Sequence, residues 1–143
     1  MTARALVVDT SVAVKWFLPE TGAERALELR EQIARGRARA LAPDIIHAEF
    51  ANALWKQVAF AGLDPALAGA MVAAFQDLPI EVVGCGVLAT QAFELACRHR
   101  RSVYDCLFLS LSLAVDAPLV TADEAFFKAV HASFPNVAWL SAG

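Results

Sequence analysis

One junction constrains the fold of this chain more than any other. The apolar run Leu6-Val7-Val8 ends abruptly in Asp9-Thr10-Ser11, and a new apolar pattern, Val12-Ala13-Val14-Lys15-Trp16-Phe17-Leu18, begins at once. Leu6 to Val8 is rich in β-branched residues and bounded by charge, which reads as a buried strand. Thr10 or Ser11 is a good N-cap for the helix that follows. Asp9 therefore falls where a strand turns into a helix, at the strand's carboxyl end, the edge at which open α/β sheets bind ligands. A single Asp at a single turn is usually only a turn residue, so the rest of the chain has to decide.

The alternation continues. Val12 to Leu18 predicts a short helix closed by Pro19. Glu20 to Arg35 carries Ala23, Ala26, Leu27, Arg30 and Ile33 or Ala34 at helical spacing and stops at Gly36. Ala38 to Ala42 is a candidate strand. Pro43-Asp44 opens a third helix that runs to about Phe60. On it, Glu49 follows Ile45 and Ile46 by one turn and precedes Ala53 by another, so it points along the apolar side. A Glu on a core-facing stripe needs a partner. Asn52 shares that face. Asp64-Pro65 starts a helix through Gln76 whose stripe, Leu67, Ala70, Met71, Ala74 and Phe75, reads as core or partner packing. Ile80 to Val83 is a strand, and Val87 to Arg98 a helix ending in Arg98-His99-Arg100-Arg101. Basic residues suit a helix C-terminus, and this is also the densest basic patch in the chain, the first choice for phosphate contact. Val103 to Val115 is an almost continuously apolar, hence buried, helix with Asp105 in its first turn. Pro118 to Val120 reads as a strand. Thr121-Ala122-Asp123-Glu124 matches a capping box for a helix over Ala125 to His131, and Val137 to Leu140 as a last strand. Strands alternating with helices predict one α/β domain with a central parallel sheet flanked by helices.

A chain of 143 residues is one domain's worth and can bury a core without disulfides or zinc. Hydrophobic residues make up 58% and charged residues 19%, so either nearly every element is buried or a partner covers apolar surface. The most apolar window, Val103 to Val120, holds Asp105, Asp116 and Pro118, which argues against a membrane span. The run Ala5 to Val8 is too short for a signal peptide. Cys85, Cys97 and Cys106 form no CxxC pair and read as free thiols of a reducing cytoplasm. The net charge of −3 gives no global nucleic-acid footprint. A polyanionic substrate would need local basic residues or bound cations.

Four acids stand out by context: Asp9 and Asp123 at strand-to-helix junctions, Glu49 on an apolar helix face, and Asp105 at the start of a buried helix. Singly, each has a bland explanation as turn, cap, stripe edge or dipole partner. Together they matter because a parallel sheet brings its strand ends to one edge. If all four converge within ~5 Å, each like-charge pair costs roughly 3 kcal/mol at an effective dielectric near 20. Six such pairs rival the whole stability of a domain, so the cluster needs protons or a cation. Oxygen ligands without Cys or His select Mg²⁺ or Mn²⁺ over zinc. Such ions support in-line phosphodiester displacement with no side-chain nucleophile.

At these positions the sequence resembles the PIN-domain family, specifically the VapC-type toxins of toxin–antitoxin pairs. The carrying pieces are Val7-Val8-Asp9-Thr10-Ser11-Val12, Pro43 to Leu54 around Glu49 and Asn52, Ser102 to Ser110 around Asp105, and Leu119-Val120-Thr121-Ala122-Asp123. The resemblance covers essentially residues 1–143. It implies a Rossmann-like domain and a Mg²⁺- or Mn²⁺-dependent endoribonuclease in which Asp9, Glu49, Asp105 and Asp123 form the acidic, metal-binding site. Ser11, Asn52 and Thr121 take supporting positions. It also implies inhibition by a small cognate antitoxin and a homodimer. Arg98, Arg100 and Arg101 are the candidates for RNA-phosphate contact.

Two other readings compete. A haloacid-dehalogenase-like phosphatase wants a second Asp where Ser11 stands. A non-catalytic PIN-like module would bind RNA or protein without cutting. His47, His99 and His131 lie on different elements and do not suggest metal-free acid–base chemistry. Trp16, Trp55 and Trp139 fit packing stripes better than base stacking.

Overall fold

The computed structural model describes residues 3–142. Five strands form one sheet: β1 (Arg4–Val8), β2 (Ala38–Pro43), β3 (Ile80–Val83), β4 (Leu119–Thr121) and β5 (Val137–Trp139). Their order is β3-β2-β1-β4-β5, and every pairing is parallel. The helices are α1 (Thr10–Lys15), α2 (Ala23–Ala34), α3 (Ile46–Ala61), α4 (Pro65–Gln76), α5 (Cys85–His99), α6 (Val103–Val115) and α7 (Glu124–Val130). The fold is the expected α/β domain. No helix among the described residues is long and apolar enough to cross a membrane.

β1 is central because Leu6, Val7 and Val8 are buried on both faces, which only a strand covered on both sides tolerates. The chain builds outward from β1 through β2 to β3, then returns to β1's other side with β4. The gap between the carboxyl ends of β1 and β4 is therefore the point where strand order reverses, the place where open α/β sheets bind ligands. Behind it, α6 is buried from Cys106 to Ser112. The hydroxyls that interrupt its apolar run are satisfied, Ser110 Oγ by Gln91 Oε1 at 2.7 Å and Ser112 Oγ by the Ala117 carbonyl at 2.5 Å. Phe50 of α3 and Phe75 of α4 stack at 4.2 Å, with the Phe17 edge on Phe50 at 5.4 Å.

Several boundaries differ from the sequence expectation. Neither Thr10 nor Ser11 caps α1. Asp9 is its N-cap residue, and it makes no side-chain cap hydrogen bond. The second helix starts at Ala23, not Glu20, because Gly22 turns the chain at φ 83°. The Gly36 stop holds: Gly36 and Arg37 N–H groups return to the Ile33 and Gln32 carbonyls at 3.1 and 2.8 Å. The third helix starts at Ile46, because Asp44 N–H still bonds the Val83 carbonyl at 2.9 Å and prolongs the β2–β3 edge. The capping box at Thr121 does not form. Asp123 caps α7 by accepting the Phe126 N–H at 3.0 Å, and Glu124 pairs with Lys128 instead. On α4 the stripe is narrower than its spacing suggests: Ala68 and Phe75 are buried, while Leu67, Ala70 and Ala74 face solvent.

Candidate active site

Asp9 leaves β1 with its N–H on the Val120 carbonyl at 3.0 Å, which fixes it beside β4. Its Oδ2 accepts from Ser11 Oγ at 2.5 Å and Thr121 Oγ1 at 3.0 Å. Ser11 Oγ in turn accepts the Ala122 N–H at 2.9 Å, and Thr121 Oγ1 the Asp123 N–H at 3.1 Å. The two hydroxyls thus knit the end of β1 to the β4–α7 corner. This explains why neither caps a helix: both are committed to Asp9. Burial pushes the Asp9 carboxyl up to about 6, opposed by the Ser11 and Thr121 hydrogen bonds and reinforced by the nearby charges of Asp105 and Glu49.

Glu49, in the first turn of α3, accepts from Thr10 Oγ1 at 2.7 Å. It too is raised above the ordinary Glu range, first by burial and then, against the Thr10 bond, by Asp105. Asp105 lies in the first turn of α6, where its N–H bonds the Ser102 cap at 3.1 Å. Its Oδ2 accepts from Arg101 Nη2 at 3.1 Å. Burial still lifts its carboxyl, with Arg101 pulling down and Asp123 pushing up. Asp123 spends Oδ1 on capping α7 and leaves its other oxygen for the cleft.

All four carboxylates line one open cleft of about 270 Å³, together with Thr10, Ser11, Asn52, Ala53 and Lys56. Among the described residues, no three of these side chains stand in ready-made metal-ligand geometry. The donor set nevertheless fits a hard cation. It is all oxygen, three of its members are raised by burial with their acidic neighbours adding to the shift, and its balancing cations are Arg101 on Asp105 and Lys56 on the wall.

Other candidates separate. Ser11 and Thr121 touch Asp9 directly. Asn52 lines the cleft without a recorded hydrogen bond to the acids. Arg101 reaches the site, while Arg98 and Arg100 are exposed and do not line the cleft. His47, His99 and His131 pack on Phe75, Phe134 and Phe127, each away from the acids. Trp16 is buried, while Trp55 stands exposed against Phe60 at 5.8 Å.

Two cleft residues escape sequence reasoning. Thr10 reads as a cap, yet it orients Glu49. Lys56 follows Glu49 by two helical turns and Asn52 by one, a spacing that places all three on one face. That periodicity is the signal that could have found it.

An all-parallel α/β domain with an acidic cleft at its switch point carries its carboxylates where open α/β sheets bind their ligands. The chain belongs to the PIN-domain family, whose profile matches residues 6–132. PIN domains are generally nucleases. The fold is similar to VapBC2 from Rickettsia felis, solved bound to a DNA fragment from its promoter. That match has 16% identity and a TM-score of 0.63, and covers 94% of this chain and 96% of that one. It is also similar to PAE2754 from Pyrobaculum aerophilum, at 18% identity and a TM-score of 0.66, covering 98% and 92%. No curated protein matches the sequence.

Proposed function

We propose that this PIN domain is a Mg²⁺- or Mn²⁺-dependent endoribonuclease of the VapC toxin type, held in check by a cognate antitoxin. The observation that carries the reading is that Asp9, Glu49, Asp105 and Asp123, from four separate elements, face one cleft at the β1–β4 switch point. Asp9, Glu49 and Asp105 would hold the cation, with Asp123 completing the set directly or through water. A cation bound there supplies charge to the scissile phosphate and to a water, the two tasks of metal-assisted hydrolysis.

The remaining work falls to the chain. Ser11 and Thr121 lock the Asp9 carboxylate in place, and Thr10 does the same for Glu49. Asn52 and Lys56 line the wall on which an RNA backbone would lie, and Lys56 offers it a positive charge.

Partners follow from the surface and from likeness. The Rickettsia felis relative was solved as VapBC2, and the antitoxin is carried over to this chain from it. Trp55, Phe60 and Phe93 stand 56%, 80% and 61% exposed. Such apolar surface suits coverage by an antitoxin and by a second copy in a homodimer. The reading places the protein in the cytoplasm, where its RNA would be.

Incubating purified protein with single-stranded RNA and Mn²⁺, with and without EDTA, tests the reading. Cleavage lost on chelation and in Asp9→Asn supports it. RNA binding without cleavage points to a non-catalytic module. Phosphate release from a small ester points to a phosphatase. Light scattering on the eluting protein checks the dimer.

A further inference from the structure

Arg101 occupies an unusual position. It precedes Ser102, the N-cap of α6, and so stands at the positive end of that helix, where a cation is electrostatically disfavoured. The chain turns into this place through Arg100, which takes the left-handed conformation at φ 55° to end α5. What holds the Arg101 guanidinium is Asp105, through one contact, Nη2 to Oδ2 at 3.1 Å, with the two side chains 26% and 29% exposed. The pair is not the two-pronged arrangement that makes Arg–carboxylate contacts strong. Arg101 Nε is buried and has no hydrogen-bond partner. A guanidinium that gives up one donor to burial and makes one contact to a carboxylate is held loosely enough to be moved.

We propose that Arg101 is a displaceable internal counter-ion. It neutralises Asp105 in the resting cleft and competes with a divalent cation for that carboxylate. Once displaced, it turns its guanidinium to an RNA phosphate. The inference rests on the nuclease reading of the cleft and adds a regulatory step to it: metal loading and phosphate capture are coupled through one side chain. The coupling is physical because a carboxylate oxygen serves Arg101 or the cation, and the freed guanidinium is well matched to phosphate.

The test measures Mn²⁺ affinity by calorimetry, and RNA cleavage kinetics, for wild type, Arg101→Gln and Arg101→Lys at fixed ionic strength. Unchanged circular dichroism serves as the folding control. Arg101→Gln is expected to bind Mn²⁺ roughly fivefold more tightly, the scale of a partly exposed ion pair. Its KM for RNA should rise severalfold. Arg101→Lys, which keeps the charge, should stay near wild type in Mn²⁺ affinity. A damaged fold would weaken both properties together, so the opposite signs are diagnostic. Unchanged or weaker Mn²⁺ binding in Arg101→Gln, with wild type still cleaving, overturns the proposal and leaves the nuclease reading standing. Tighter Mn²⁺ binding with unchanged KM overturns the phosphate half. A wild type that neither binds Mn²⁺ nor cleaves RNA removes the nuclease reading, and this inference with it.

Discussion

Thr121 Oγ1 donates to Asp9 Oδ2 at 3.0 Å while accepting the backbone N–H of Asp123 at 3.1 Å. One buried hydroxyl therefore holds two of the four cleft acids in register. Thr121→Val keeps the shape and deletes the hydroxyl, leaving a carboxylate oxygen and an N–H short of a partner. The expected cost is about 1–3 kcal/mol, with RNA cleavage falling at least about tenfold, the scale of losing an outer-shell partner. Thr121→Ser should recover most of both. Urea unfolding and cleavage rates check this, and wild-type behaviour in the Val variant contradicts it.

Asp9 makes stability depend on pH in a definite direction. Its folded value, about 6, lies above its ordinary 3.8, so the folded state holds the proton more tightly than the unfolded chain. The stabilisation is complete below about pH 4 and is lost as pH rises through about 6. Asp9→Asn should therefore be more stable than metal-free wild type at pH 7.5, by up to about 3 kcal/mol, with the gap closing near pH 4. Mn²⁺ should raise the Tm of wild type at pH 7.5 and leave the variant unmoved. Thermal scans at the two pH values decide it. A gap of equal size at both would contradict the assignment.

Lys56 should contribute affinity without chemistry. In the Asp9→Asn background, where RNA stays intact, Lys56→Ala should weaken RNA binding and reduce the slope of log affinity against log salt by about 0.7, one phosphate contact on a single strand. Fluorescence anisotropy over a salt series reads this out. An unchanged slope would take Lys56 out of the RNA path.

The Phe50–Phe75 stack fastens α4 to α3, the helix that carries Glu49. Phe75→Ala should cost about 3–5 kcal/mol, the range for a buried aromatic lost from a core. Denaturant midpoints would show it, and a loss under 1 kcal/mol would mean that α4 is anchored elsewhere.

Much of this arrangement was legible because it depends on local pattern. β1 was readable from three apolar residues ending in Asp9, and the middle of α6, Cys106 to Ser112, from its apolar run, although Val103, Tyr104, Leu113 and Val115 at its ends are exposed rather than buried. Glu49 was readable because Ile45, Ile46 and Ala53 fix which way it points. What sequence reasoning missed depends on competition between partners. Thr121, Ser11 and Thr10 all look like helix caps by local pattern, and only the resemblance, not the pattern, assigns Ser11 and Thr121 to the site. In the fold each meets a carboxylate or strand end from far along the chain, and those partners win. Arg98, Arg100 and Arg101 look equivalent in sequence. The chain turns left-handed at Arg100, and of the three only Arg101, just after it, pairs with a cleft acid.

The bond between Thr121 and Asp9 joins residues 112 positions apart. Asp9, made first, gains its second hydroxyl and its acidic neighbour Asp123 only when β4 slides in beside β1. During synthesis the corner of the cleft therefore cannot form until β4 has followed α6 off the ribosome. A chain interrupted before β4 would carry three of the acids but lack the corner that holds them together. Assembly itself would then delay any chemistry of the cleft until translation is nearly done.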